Sequence, residues 1–404
     1  MSLVLNTNVA SLQAQNNLTK SSSELSTATE DLSSGLKINT AADNAAGYAI
    51  ATRFQTQIGG LSQASQNASD AINLAQTAGS GLSQITSNLQ SIRDLAVQAA
   101  NGTYQASDRS AINTSVQQYL QEVTRIANQT TFNGTNVLNG STSSLSFQIG
   151  ANVGQTIDVA LGQGATASQV GQISEVSTAS LSGDFVDASG NATTLNLSTI
   201  SISGAGGNSI TLSGTATSAQ GVVDAINAAG LTGVSAAVNA SGGINVYSTG
   251  TLSISGGAAA ATSVAGSGST LSTNATYNGV SGGTYSSAGT YAAGDVVSAG
   301  GSLQGGDVLT VDDANQLIAR VDAALTTVSN FASTLGAVQN RFQSTIATLG
   351  AQQTNLTSSQ ASIQDTDFAA TTAQLSQAQV LQQAGISVLA TANSEPQNIL
   401  KLLQ

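Results

Sequence analysis

Cysteine, histidine and tryptophan are absent from this 404-residue chain, and proline occurs once. Without Cys there is no disulfide and no thiolate metal ligand. Without Cys and His, neither a cysteine nucleophile nor a histidine-based triad can be assembled. Charge is scarce too: Asp, Glu, Lys and Arg make up 7% of the chain, against roughly 25% in soluble domains. The nine Lys and Arg are scattered among 21 Asp and Glu, for a net charge of −12. That excludes the basic patch that nucleic acid phosphates require. No apolar run approaches the ~20 residues of a membrane-spanning helix. The first ten residues carry neither a basic leader nor the apolar core of a signal peptide, which taken alone reads as cytoplasmic, with an export route that does not cleave as the alternative.

Ser, Thr, Asn and Gln supply the polarity instead, a surface with little long-range repulsion that suits dense packing of subunits. The two ends of the chain read alike. Leu5 and Leu12, then Leu18, Leu25 and Leu32, recur every seven residues with a one-residue slip, a narrow coiled-coil seam. From 45 to 100, apolar residues step by three and four through Ile50, Leu61, Leu82, Leu89 and Ile92, which predicts one long helix. Gly79 and Gly81 are places where it can bend. Asn101-Gly102 predicts a turn, and a shorter helix follows through Val116, Leu120 and Val123.

The period then changes. Leu145, Phe147 and Ile149 alternate, as do Ile157 and Val159, which predicts a β-hairpin. Residues 177–304 are rich in Gly, Ser, Thr and Ala, with short alternating runs such as 195–202 and 243–247 and one helical patch at 219–229; they read as a separate, mostly β domain. Helical stepping returns at 314–349, preceded by Asp312 and Asp313 at the end that favours negative charge. A last amphipathic segment carries Leu381, Val388, Ile399 and Leu403, and Pro396 should kink it or start a fresh turn after Ser394.

The fold class is therefore α+β: a long antiparallel helical bundle or coiled coil made from both chain ends, a β-hairpin, and an inserted, mostly β outer domain. Residues 1–42 and 362–404 would form a terminal coiled coil. Residues 43–176 and 305–361 would form a helical domain with the hairpin, and 177–304 the insertion. Periodicity alone leaves two readings of the stripes open: the core of a monomeric bundle, or surfaces buried between copies.

Several motifs go beyond periodicity. LSSGLKINTAADNAAG at 32–47, IRDLAVQAANGT at 92–103, TFNG at 131–134 and FQIGAN at 147–152 resemble, in order, the N-terminal signature of bacterial flagellins. Asn6-Thr7-Asn8, SIQDTDFA at 362–369 and QNILKLL at 397–403 resemble the same family's ends. The resemblance implies a structural subunit of the flagellar filament for swimming motility, with no catalytic residues and no cofactor or metal. It implies uncleaved type III export to the extracellular filament, without membrane insertion. The implied partners are other copies of the chain in a helical homopolymer, the flagellar cap and hook-junction proteins, and an export chaperone on the C-terminal segment. A hook–filament junction protein, a surface adhesin and a cytoplasmic signalling coiled coil are the competing readings.

Leu5, Leu12, Leu18, Leu25 and Leu32 are expected to meet Leu381, Val388, Ile399 and Leu403, together with neighbouring subunits, during self-assembly. Seams this narrow bury too little within one subunit, so they are expected to order on polymerisation. The resemblance further implies a surface for a Toll-like innate receptor at Gln90, Arg93, Leu95 and Gln98. Ser91 and Ser115 stand where receptor-stimulating members carry Arg and Glu, so recognition is expected to be weakened. Asp312-Asp313 and Asp365 with Asp367 are read as helix-start charge and caps, and Glu122 with Arg125 as a surface ion pair.

Overall fold

The computed structural model describes residues 8–178, 180–185, 192, 194–204, 208–255, 275–277, 280–281, 284–285, 289–291 and 301–402, with only the backbone described for 275–291 and 395–402. The α-helices are α1 (Val9–Ser34), α2 (Ala45–Ala100), α3 (Ala106–Gln129), α4 (Ala219–Ala228), α5 (Val311–Gln364) and α6 (Phe368–Leu402). The chain divides into two compact units, one of Met1–Ala68, Gln148–Thr156 and Ser344–Gln404, the other of Ser69–Phe147 and Ile157–Gln343.

In the first unit, α1 ends at Gly35, whose left-handed backbone (φ 74°) lets its amide bond Asp31 O at 2.9 Å. The following loop is held by side chains. Asp43 Oδ2 accepts the amides of Asn39 and Thr40 at 3.0 and 2.8 Å. Asn44 Oδ1 accepts that of Gly47 at 2.9 Å, which starts α2. Ile38 is buried here, and a Cβ on Gly47 would lie 2.5 Å from its Cδ1. The loop pairs with the α5–α6 connection: Lys37 N bonds Gln364 O at 2.6 Å and Thr366 N bonds Gly35 O at 3.0 Å. Asp367 Oδ1 caps α6 by accepting the amide of Ala369 at 2.9 Å. Much of the 32–47 motif is thus a turn whose residues each have a mechanical reason.

In the second unit, α2 buries Leu74, Leu82, Ile85, Leu89 and Ile92, α3 buries Val116, Leu120 and Val123, and α5 buries Leu317, Val321, Val328, Leu335 and Phe342. The face is broader than expected, since Ala71 and Ala78 join it. The helix does not break at its glycines. Gly81 instead permits close approach, because a Cβ there would lie 2.7 Å from Leu138 Cδ1 and 2.9 Å from Thr130 Oγ1. Arg109 of α3 donates to Ala99 O and Asn101 O at 2.9 and 3.2 Å, satisfying carbonyls at the end of α2. The hairpin forms from Ser144–Gln148 and Thr156–Ala160, with Ile157 and Val159 buried. Phe147 meets Phe342 edge-on, with ring centroids 5.8 Å apart.

The inserted segment has its own core. Strand Ile244–Ser248 lies between Val234–Val238 and Ser174–Ser177, all antiparallel, in a five-stranded sheet. A three-stranded sheet of Ser253–Ser255, Ser201–Ser203 and Ser209–Thr211 contributes Ile202 and Ile254. Helix α4 adds Val222, Val223 and Ile226. The run 195–202 is not one strand: a 3-10 turn at Leu197–Thr199 interrupts it, capped by Asn196. Glu175, on the strand Ser174–Ser177 that leads into this segment, is buried and accepts from Gln316 of α5. Burial pushes its carboxyl up, against the pull of Arg320.

The second long helix, α5, runs 54 residues, past the expected end at Leu349. The fresh turn expected after Ser394 does not form either, since α6 continues through Pro396 to Leu402. Proline removes a single donor from the ladder, and the carbonyl it would have bonded, that of Ala392, accepts Asn8 Nδ2 instead.

Candidate assembly surface

Helices α1 and α6 pair along a seam of small residues. On α1, Ala14, Ser21 and Ala28 are buried at seven-residue spacing, and Leu18, Leu25 and Leu32, each four residues further on, are half-buried. On α6, Thr371, Ala378 and Ala392 are buried, with Leu375, Gly385 and Leu389 half-buried. A Cβ on Gly385 would come within 3.3 Å of Leu18 Cδ1, so the helices approach closely there. At one end Asn8 Nδ2 donates to Ala392 O at 2.7 Å, and Ser11 Oγ donates to Asn393 Oδ1 at 2.7 Å.

Large apolar side chains lie off this seam. Val9 and Leu12 on α1 are 65% and 60% exposed, and Val380 and Val388 on α6 are 64% and 57% exposed. Phe368, Leu381 and Ile386 are exposed as well. A groove of about 390 Å³ between the two helices is lined by Lys20 and Glu24 of α1 and by Leu381 and Val388 of α6. Inward small residues with outward large ones invert the usual burial order.

Of the residues expected to assemble, Leu18, Leu25 and Leu32 lie in the seam. Leu12 is exposed, and Leu381 and Val388, largely exposed, line the groove beside the seam, because the close helix contact is filled by Ala, Ser, Thr and Gly at the adjoining positions. Leu5 and Leu403 lie outside the described residues, as does the side chain of Ile399. The residues missed, Leu375 and Leu389 with the small set, carry a signal of their own: Ala14, Ser21 and Ala28, and Thr371, Ala378, Gly385 and Ala392, each repeat every seven residues.

The second predicted surface lies on α2. Gln90 and Gln98 are exposed, while Ser91, Arg93 and Leu95 are partly covered. Arg93 Nε bonds Asp322 Oδ1 of α5 at 2.7 Å, and Gln98 Nε2 donates to Tyr104 Oη at 3.0 Å. Ser91 Oγ donates to Ser87 O in its own helix, and Ser115 on α3 is half-buried. Asp313 caps α5 through Thr310, and Asp312 Oδ2 accepts the amide of Ala240 at 2.9 Å. Glu122 and Arg125 pair on the exposed side of α3. Among the described residues no helix is long and apolar enough to cross a membrane.

Helical chain ends with an inserted β segment define a class of self-associating structural subunit, and comparison with known proteins narrows it. The profile of the bacterial flagellin N-terminal helical region matches residues 5–143, and that of the bacterial flagellin C-terminal helical region matches 318–403. A flagellin of Salmonella choleraesuis (strain SC-B67) is 35% identical over the whole of both chains. The B-type flagellin of Pseudomonas aeruginosa PAO1 and flagellin A of Vibrio anguillarum are each 36% identical, again over the whole of both chains. Among solved structures, FliC from Burkholderia pseudomallei is 28% identical, aligning over 67% of this chain and 99% of its own with a TM-score of 0.39. The chain belongs to the bacterial flagellin family. It is a structural subunit of the extracellular flagellar filament that serves motility, and not an enzyme.

Proposed function

We propose that α1 and α6 order as a pair when the subunit joins the filament, and that their exposed apolar residues are buried there by other copies of this chain. The supporting observation is the inversion described above: a small-residue seam inside and Val9, Leu12, Val380, Leu381, Ile386 and Val388 outside. Each of these, fully buried, contributes roughly 1.5–3 kcal/mol. Ordering costs roughly 1–2 kcal/mol per backbone residue, so the pair gains enough only when several neighbours share the burial. A head-to-tail contact that does not close yields an open helical polymer. In this reading 1–42 with 362–404 line the inner tube, 43–176 with 305–361 make the shell, and 177–304 face solvent. Flagellar type III export, an export chaperone covering the C-terminal segment, and contacts with cap and hook-junction proteins complete it. Deleting residues 399–404 should leave a folded monomer that neither sediments as polymer nor shows tubes by negative-stain microscopy. Normal filaments from that deletion would refute the proposal.

A weakened Toll-like receptor surface at Gln90, Arg93, Leu95 and Gln98 belongs to the same reading. Arg93 is already engaged by Asp322, and Ser91, which carries no charge, bonds its own helix. Introducing Ser91→Arg with Ser115→Glu is expected to raise the response of receptor reporter cells to purified monomer at least several-fold. An unchanged dose–response would remove this surface from the account.

A further inference from the structure

The chain's single proline, Pro396, lies inside helix α6. Proline has no amide hydrogen, so the carbonyl four residues earlier loses its helical donor. That carbonyl belongs to Ala392, which is buried. It accepts Asn8 Nδ2 of α1 at 2.7 Å. Asn8 is also the N-cap of α1, its Oδ1 accepting the amide of Ser11 at 3.0 Å. One side-chain amide therefore closes the start of one helix and fills the gap in the other.

The need for such a contact follows from the seam. Ala14, Ser21 and Ala28 face a helix whose own small residues, Thr371, Ala378, Gly385 and Ala392, repeat with the same period of seven. A slip of one heptad, about 10.5 Å at 1.5 Å per residue, would set small residues against small residues again. Packing along the seam thus discriminates poorly between registers, and the loop bonds of Lys37 with Gln364 and of Thr366 with Gly35 hold only the opposite end of the pair. A polar contact at one position is the known physical remedy in helical pairs. In a slipped pair, the part-buried Ala392 carbonyl would have no protein donor, which is costly.

We propose that Asn8 and Pro396 form a register clasp: Pro396 empties one interior carbonyl of α6, and Asn8 reads that carbonyl and thereby fixes the axial position of α1. Asn8 is a positioning residue, coupling the cap of α1 to correct pairing. The clasp rests on the role of the α1–α6 pair in assembly, and its test separates the two ideas.

The test is a double-mutant cycle on the full chain, reading the critical concentration of seeded polymerisation by sedimentation. Asn8→Asp keeps the cap and the shape but removes the donor; Asn8→Ser keeps a capping oxygen without adding charge and shortens the side chain, so that its hydroxyl stops short of the Ala392 carbonyl. Each should raise the critical concentration about fivefold, the effect of one hydrogen bond. Pro396→Ala returns an amide to the Ala392 carbonyl, and in that background the Asn8 substitutions should cost less than about twofold. Leu18→Ala, placed further along the seam, should weaken assembly equally in both backgrounds. Because the chain has no Cys, disulfide trapping supplies a direct ruler. Ser11→Cys with Asn393→Cys should cross-link in the native register. Asn8→Asp should shift yield toward the slipped pair Ser11→Cys with Ile386→Cys. If Leu18→Ala weakens assembly while the Asn8 penalty is the same with and without Pro396, the clasp fails and the pair's role stands. If Leu18→Ala has no effect either, the pair's role fails and takes the clasp with it.

Discussion

Helices α1 and α6 bury alanine, serine, threonine and glycine and turn their large apolar side chains outward, whereas the second unit buries leucine, isoleucine and phenylalanine on α2, α3 and α5. Both regions are built from long, Ala- and Gln-rich helices, so composition does not separate them. What separates them is where the large residues sit on the helical wheel. In the second unit the stripe is broad and is covered within the same chain, which is the pattern of a core that folds with the monomer. At the chain ends the contact face is narrow and small, and the free energy available from Val9, Leu12, Val380 and Val388 is left for a partner. The difference teaches that one helix type can serve two tasks, and that exposure of large residues, not helicity, marks the surface that other copies cover.

The sharpest way to break this comparison is to truncate one large side chain in each region. Phe342→Ala, in the buried stripe of α5, should destabilise the isolated monomer by about 3–5 kcal/mol, read as a fall in its unfolding midpoint. Leu12→Ala, at an exposed position, should change monomer stability by less than about 0.5 kcal/mol. It should nevertheless raise the critical concentration of polymerisation about tenfold or more, the equivalent of burying that leucine between subunits. A Leu12→Ala monomer that melts early but polymerises normally would erase the distinction.

A smaller effect probes the seam. At Gly385 a Cβ would stand 3.3 Å from Leu18 Cδ1, a contact that a rotation of the leucine can relieve. Gly→Ala in a helix gains roughly 1 kcal/mol of propensity, so Gly385→Ala should be close to neutral. Gly385→Leu adds three further carbons where the two helices approach closely and should cost about 1–3 kcal/mol, measured as a lower melting temperature of the filament. Equal melting for the Ala and Leu variants would mean that the small-residue seam does not constrain the pair.

The long helices, the hairpin and the inserted β segment were legible because each rests on a local period, of 3.6 or of 2, over many residues. Leu18, Leu25 and Leu32 were found for that reason. Leu381 and Val388 lie beside the α1–α6 contact rather than in it, because that contact is made by Ala378, Gly385 and Ala392. Small side chains carry a weak hydrophobic signal but permit close backbone approach, which pattern reading by size does not weigh. The length of α5 was underestimated because its last turns are polar. The continuity of α6 through Pro396 was illegible for a different reason: the compensating donor, Asn8, is 384 residues away in sequence.

The least effect expected lies on the strand Ser174–Ser177, at the entry to the inserted segment, and it tests the comparison from the side of the covered core. Glu175 stands opposite Tyr247 across adjacent strands and accepts from Gln316, with Arg320, Asp312 and Asp313 of α5 around it. Burial outweighs the attraction of Arg320, so its carboxyl is held above the usual carboxylate range. The folded state then keeps a proton that the unfolded chain releases. The stability from this group is complete below the ordinary carboxylate range and is lost as pH rises through the raised value. Glu175→Gln keeps an acceptor for Gln316 and removes the ionisation. The variant should therefore match the parent in acid and melt higher at neutral pH, when midpoints of both monomers are compared across that interval. Taking the difference between the two proteins cancels the titration of the exposed carboxylates, including Asp43, whose carboxyl the amides of Thr40 and Asn39 hold low. A parent that gains stability over the variant as pH rises would show that the Gln316 hydrogen bond and Arg320, and not burial, govern this site.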